Sequence, residues 1–173
     1  GLLKLEDGAV LGGITWAGGR IEAAADVNAH TLVLGLVTSG EENDTISPDD
    51  IPLPLLNDLT FFRNTDLRVA VAFDEDAEDR QPEGEYKLAG NAAGFTGSIT
   101  VTSGNYPDVF TTLSVGDSYS NTGLTLTLSV NAADELILTV GSCTEDTAPP
   151  DPVRAVSSMV YDSSSVMIRW EDG

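Results

Sequence analysis

Cysteine and histidine are almost missing from this sequence: its 173 residues contain one of each, Cys143 and His30. A lone cysteine cannot close an internal disulfide, and with one histidine it falls short of a four-ligand zinc site. A disulfide-stapled scaffold and a zinc-built domain are therefore excluded. Basic side chains are also scarce. Eight Lys and Arg stand against 28 Asp and Glu, a formal charge of −20. Binding nucleic acid requires cations that displace the counterions of phosphates, so a nucleic-acid partner is excluded, and an anionic membrane surface would repel the chain. Long apolar runs are absent. The longest, 53–62, is broken by Pro54, Asn57 and Asp58, well short of the roughly 18–20 residues of a membrane span. Membrane insertion is not expected. Aromatics make up only 6% of the chain, and most are needed for packing.

Signals for catalysis are equally thin. No Gly-x-Ser-x-Gly elbow presents a serine nucleophile. Gly12-Gly13 and Gly18-Gly19 flank Trp16 without the lysine or helix of a phosphate loop. Glu83 and Glu85 share a strand face as paired carboxylates would, but with 28 acids such pairs arise by chance. Cys143 and His30 read as a semi-buried thiol and a strand-edge imidazole rather than a nucleophile and its base. The chain is read as a non-enzyme.

What the sequence does contain is alternation. At 41% apolar residues it can bury a proper core. In 124–130, Leu124, Leu126, Leu128 and Val130 alternate with Thr125, Thr127 and Ser129, a strand with one buried and one wet face. A turn at 131–135 returns the chain through 136–140 as an antiparallel hairpin. Similar strands are expected at 67–73, 98–102 and 109–115, and at 31–38, which is apolar on both faces as a central strand would be. Gly-rich turns punctuate them. Residues 20–30 read as either a short helix or a strand over 20–25. Ser47 and Pro48 mark a single helical turn, stopped by Pro52 and Pro54. No fixed-period repeat is visible, so solenoids and propellers are not expected. Trp16, Phe73 and Phe110 read as core. The expected fold is all-β with little helix: an antiparallel β-sandwich over 1–143, immunoglobulin-like or jelly-roll-like. Pro149, Pro150 and Pro152 make 144–152 an extended linker.

Beyond the linker, Val153-Arg154-Ala155-Val156, a Ser-rich stretch at 157–165, and Val166-Met167-Ile168-Arg169-Trp170 follow in turn. A proline-led start, a strand, a polar turn and a strand ending in tryptophan resemble the opening of a fibronectin type III domain. The resemblance covers 147–171. It implies that 153–173 are the first strands of a second β-sandwich domain. Val166, Ile168 and Trp170 would be its inward or interface set. The family needs further strands, so the chain is expected to continue past Gly173; Gly1 in place of Met likewise suits a processed or internal segment. The resemblance also implies a modular surface protein, as in bacterial adhesins, secreted polysaccharide-degrading enzymes, and phage tail-tip and fibre proteins.

Two further clusters carry chemistry. The acidic run Asp74, Asp76, Glu78 and Asp79 follows a strand and offers oxygen ligands of the kind Ca²⁺ takes. Asp79 stands where an EF-hand loop needs glycine, which leaves a looser loop site or a solvated turn. No other cofactor is implied. Tyr106 and Tyr119, both in expected loops, are the candidate sugar platforms. The functional expectation is a structural and interaction module of a larger surface or virion assembly, a phage tail or fibre or an adhesin. It would sit outside the cell, at its surface or on a virion, with other subunits or further domains as partners. The alternative is a glycan- or Ca²⁺-binding accessory module of a secreted enzyme.

Overall fold

In a computed structural model, residues 1–17, 19–37, 44–73, 80–104, 109–121, 123–143, 155–162 and 165–171 are described, the last two segments by backbone alone. The chain divides into two compact units, Gly1–Cys143 and Thr144–Gly173. The described helical structure consists of two short 3₁₀ turns, Pro48–Asp50 and Leu59–Phe62, so the all-β expectation holds. Among the described residues no helix is long and apolar enough to cross a membrane.

The first unit opens with β1 (Leu2–Leu5), β2 (Val10–Ala17), β3 (Arg20–Ala23) and β4 (Asn28–Gly35). Residues 20–30 are thus strand, turn and strand, not helix. β1 pairs in parallel with β3, and β2 in parallel with β4. Leu2 faces Arg20 and Val10 faces Asn28, the same 18-residue offset in both ladders. The chain therefore alternates between two sheets and climbs by one strand in each per turn. Residues 55–57 add the next layer to the first sheet. The Ile21 N–H donates to Leu55 O at 2.6 Å, and the Asn57 N–H to Ile21 O at 3.1 Å. On the far side, the Leu55 and Leu56 N–H groups donate to the carbonyls of Lys87 and Leu88 at 3.0 and 2.9 Å, in β6 (Gly84–Ala89). In the second sheet, β5 (Asp66–Val71) lies parallel to β4, and β7 (Ser98–Ser103) parallel to β5.

The expected antiparallel order is corrected here, and so is the exclusion of a coil: the first four layers of both sheets are parallel. Only the last part reverses. β8 (Val109–Ser114) runs antiparallel to β7. β9 (Ser118–Asn121), β10 (Leu124–Val130) and β11 (Leu136–Ser142) form an antiparallel meander that joins β6. The β10–β11 hairpin is the one expected, with Leu128 opposite Leu138 and Leu126 opposite Val140. Its turn is held by Asn131 Oδ1, which accepts from Ala133 and Glu135 N–H at 2.9 and 3.0 Å. One core is shared by both sheets. Ile21, Leu56, Leu88, Leu126 and Leu138 enter it from the first, and Leu34, Val69, Val71, Ile99 and Val101 from the second.

Two local devices hold the layers in place. Gly90 sits where a Cβ would come within 2.6 Å of the Asn57 carbonyl, so the turn after β6 can approach 55–57 only as glycine. Asp58 caps the turn Leu59–Phe62, accepting from Thr60 N–H at 2.8 Å and from Asn91 Nδ2 at 3.0 Å. Partial burial pushes its carboxyl up, but the hydrogen bonds from Thr60 and Asn91 and the charge of Arg63 outweigh this and leave it below its usual value. A carboxyl lowered by folding stabilises above its unfolded pKa and loses that effect as pH falls. Asp58→Ala should therefore lower stability by about 1 kcal/mol at neutral pH. Denaturant melts at neutral and acid pH check this, because the difference from wild type should shrink on acidification.

The second unit is an antiparallel hairpin of β12 (Ala155–Asp162) and β13 (Ser165–Glu171). The first strand runs further than expected, taking Ser157 and Ser158 into the ladder instead of leaving them in a turn. Val166, Ile168 and Trp170 occupy alternate register positions, opposite Val160, Ser158 and Val156.

Candidate functional site: the outer strands of the coil

In a coil of this kind each turn covers the one before it, and the two end turns are left to be closed by other means. At the last end β8 pairs only with β7 and β9 only with β10 among the described residues. Leu113 of β8 is buried at 1% exposure. The turn after it folds over β10: the Gly116 N–H donates to Leu128 O at 2.8 Å, and the Leu128 N–H to Asp117 O at 3.2 Å. Asp117 also accepts from Ser114 N–H at 2.9 Å. Hydroxyl pairs Ser118–Thr127 and Ser120–Thr125 line the outside of β9 and β10.

The first end is built alike: among the described residues β1 pairs only with β3 and β2 only with β4. Of their inward side chains Leu5 is buried in the core, while Leu3, Leu11 and Trp16 are partly buried against it. One layer further in, the register partners Ile21, Ala29 and Leu34 are buried to 0%, 3% and 0% exposure. Leu2 and Val10 are exposed at 52% and 76%. Lys4 is the one charged residue on these two strands, in a chain with 28 acids. In the middle of β2, Gly12 and Gly13 are exposed, and a Cβ at either would meet nothing within 4 Å. The corner is finished by Trp16, whose Nε1 is buried without a partner; a Cβ on Gly19 would overlap it and would lie 2.6 Å from Gly1 O.

The residues singled out in the sequence are dispersed. Asp74, Asp76, Glu78, Asp79 and Tyr106 lie outside the described residues. Tyr119 is corrected in its placement: it stands in β9, not in a loop, and packs half-buried against the core. Val166, Ile168 and Trp170 are placed in β13. His30 is exposed on β4, whereas Cys143 follows β11 in the other sheet and donates its thiol to Leu124 O at 3.4 Å. The two are not a pair. Glu83 and Glu85 are exposed beside Asp49 and Lys87 in an open groove. Among the described residues no three His, Cys, Asp or Glu side chains meet as a metal site. Phe73 and Phe110 stack at 4.6 Å between centroids, half-buried, with Phe73 against the core.

A buried polar knot escaped the sequence reading. Gln81 Nε2 donates to Ile46 O at 2.9 Å and to Tyr86 Oη at 3.0 Å, while its Oε1 accepts from Ala72 N–H at 3.3 Å. The Tyr86 hydroxyl is also within 2.7 Å of Pro82 O and 3.0 Å of Ile46 O. This knot ties the excursion after β4 to the one after β5. Its only sequence signal is a glutamine and a tyrosine five residues apart, which carries no periodicity.

No family model matches the chain, and neither a curated protein nor a solved structure is similar to it. Function must be read from the geometry.

Proposed function

We propose that this chain is a non-catalytic structural and interaction module of a larger multi-domain assembly, working through β-strand edges and apolar patches. The observation that carries this reading is that the outermost strands of both sheets, β1 and β2 at one end and β8 and β9 at the other, each pair on one side only among the described residues, with Leu2, Val10 and Val109 exposed on them. Unpaired edges with apolar flanks are the substrate of β-augmentation, in which main-chain hydrogen bonds supply affinity and alternate side chains supply register. The resemblance of 147–171 to a fibronectin type III opening supports a modular surface or virion setting outside the cell. There, salt screens the self-repulsion of a chain with charge −20.

The test is the mass of the native particle that carries this polypeptide in its source. A regular particle many times heavier than the 18.1 kDa chain is expected. Recovery of the polypeptide as a free, unassociated species would overturn the proposal.

A further inference from the structure

We propose that the groove between the turn Leu59–Phe62 and the loop 91–98 binds a single carboxylated sugar, a uronic acid ring, with Arg63 at its carboxylate. Such a site stands apart from the strand edges considered above. Its two walls are drawn together where Gly90 lies against the Asn57 carbonyl and Asn91 Nδ2 donates to Asp58 at 3.0 Å. The loop is fixed in turn: the Ala92 N–H donates to Asp134 O at 2.7 Å and the Phe95 N–H to Ala92 O at 3.0 Å. Between the walls lies a groove of about 530 Å³ over the buried side chains Leu59, Phe62 and Leu67, a volume within the range of small-ligand sites. In a chain with 28 acids, none of its 14 lining residues is Asp or Glu. By contrast, the groove beside Lys87 carries Asp49, Glu83 and Glu85.

Three side chains give the groove its chemistry. Arg20 and Arg68 each pair with a carboxylate, Glu22 and Asp66. Arg63 is held differently: its Nε donates to Thr60 O at 3.0 Å, which leaves Nη1 and Nη2 without an acceptor among the described residues. Its charge reaches Asp58, but both Asp58 oxygens are already taken, Oδ1 by Thr60 and Oδ2 by Asn91. A guanidinium fork binds a carboxylate through two parallel hydrogen bonds. The Thr65 hydroxyl is buried with no partner, and Thr65 lines the same groove. A hydroxyl shut off from water is unfavourable until a ligand oxygen meets it. Phe95 is half-buried and presses on the main chain at Gly97, where a Cβ would come within 2.7 Å of its ring. An aromatic surface beside hydroxyl and guanidinium groups suits a sugar ring, apolar on its C–H face and polar at its edge. The net charge of −20 repels polyanions, so the ligand is one uronate and not a polyuronate chain.

Amide chemical shifts of the 173-residue chain, titrated with methyl β-glucuronide, test the proposal. Saturable shifts in the millimolar range are expected at 59–67 and 91–98. Methyl β-glucoside and acetate should each bind about tenfold more weakly. Arg63→Gln should weaken the glucuronide by about tenfold while leaving the glucoside unchanged. Thr65→Val should raise the melting temperature, because it removes the unpaired hydroxyl, and should weaken both glycosides. This second variant decides the matter if loss of the Thr60 contact destabilises Arg63→Gln, which circular dichroism would reveal. Absence of saturation, or shifts scattered outside the groove, overturns the proposal. So does equal binding of glucuronide and glucoside, equal binding of glucuronide and acetate, or a Thr65→Val variant that binds as wild type does.

Discussion

Leu56→Ala should lower the unfolding free energy by about 2–5 kcal/mol, among the largest effects of any single truncation. Leu56 is fully buried, and it belongs to the three-residue segment that joins β3 to β6 within the first sheet. That segment has no flanking strand length to hold it. Its place depends on the Leu56 side chain in the core and on the amide of Asn57. Nδ2 of Asn57 donates to Ala23 O at 2.9 Å and its Oδ1 accepts from Ala23 N–H at 2.9 Å, so the side chain acts as one more ladder residue. Truncation leaves a cavity between two sheet halves. Chemical denaturation would show the midpoint falling, and hydrogen exchange should rise at Ile21 and Leu88 before it rises in the β10–β11 hairpin. Uniform loss across both regions would mean that the segment is not the joint described here.

The second large effect lies in the buried knot. Gln81→Leu should cost about 1–3 kcal/mol, because it strands the Ala72 N–H away from water and removes one hydrogen bond each from the Ile46 carbonyl and the Tyr86 hydroxyl, which keep each other as partners. The same knot gives the protein an alkaline limit. Burial is the main cause that pushes the Tyr86 phenol up from 10.0 to about 12; the Gln81 hydrogen bond opposes this, and the charge of Asp50 adds to it. The folded state therefore keeps a proton that the unfolded chain releases from about pH 10. Stability from this group is complete below pH 10 and is lost as pH rises toward 12, at about 1.4 kcal/mol per pH unit. Tyr86→Phe should flatten that part of the stability profile. A profile that keeps its full slope in the variant would show that another group titrates there.

Much of the local structure was legible in residue order. Leu124, Leu126 and Leu128 alternate with hydroxyl residues, and they form the buried face of β10; Ser47-Pro48 and the prolines after it give a single capped turn. Alternation, however, reports only that one face of a strand is buried. It is the same for parallel and antiparallel neighbours, so the direction of pairing was not available from it. The coil itself was hidden by its insertions. The offset is 18 residues between the first two turns, 35 from Leu32 to Leu67, and 32 from Val69 to Val101. Excursions after β4 and β5 break the period that would otherwise reveal a repeat. Tyr119 shows a second limit: Ser, Gly and Asp neighbours read as a loop, yet the four residues Ser118–Asn121 pair with β10 because that strand offers them a free edge.

Residue order alone carried the chemistry this chain is made of: alternating strands, glycine-punctuated turns, a surplus of carboxylates, and a single cysteine and histidine. These follow from composition and from near neighbours along the chain. The long-range structure settles that β2, β4, β5 and β7 run parallel, that Gln81 meets Ile46 across 35 residues, and that β8 turns back antiparallel on β7. The first two are relations between segments far apart in sequence. Their free energy comes from burying two distant surfaces against each other, a term that no window of consecutive residues contains.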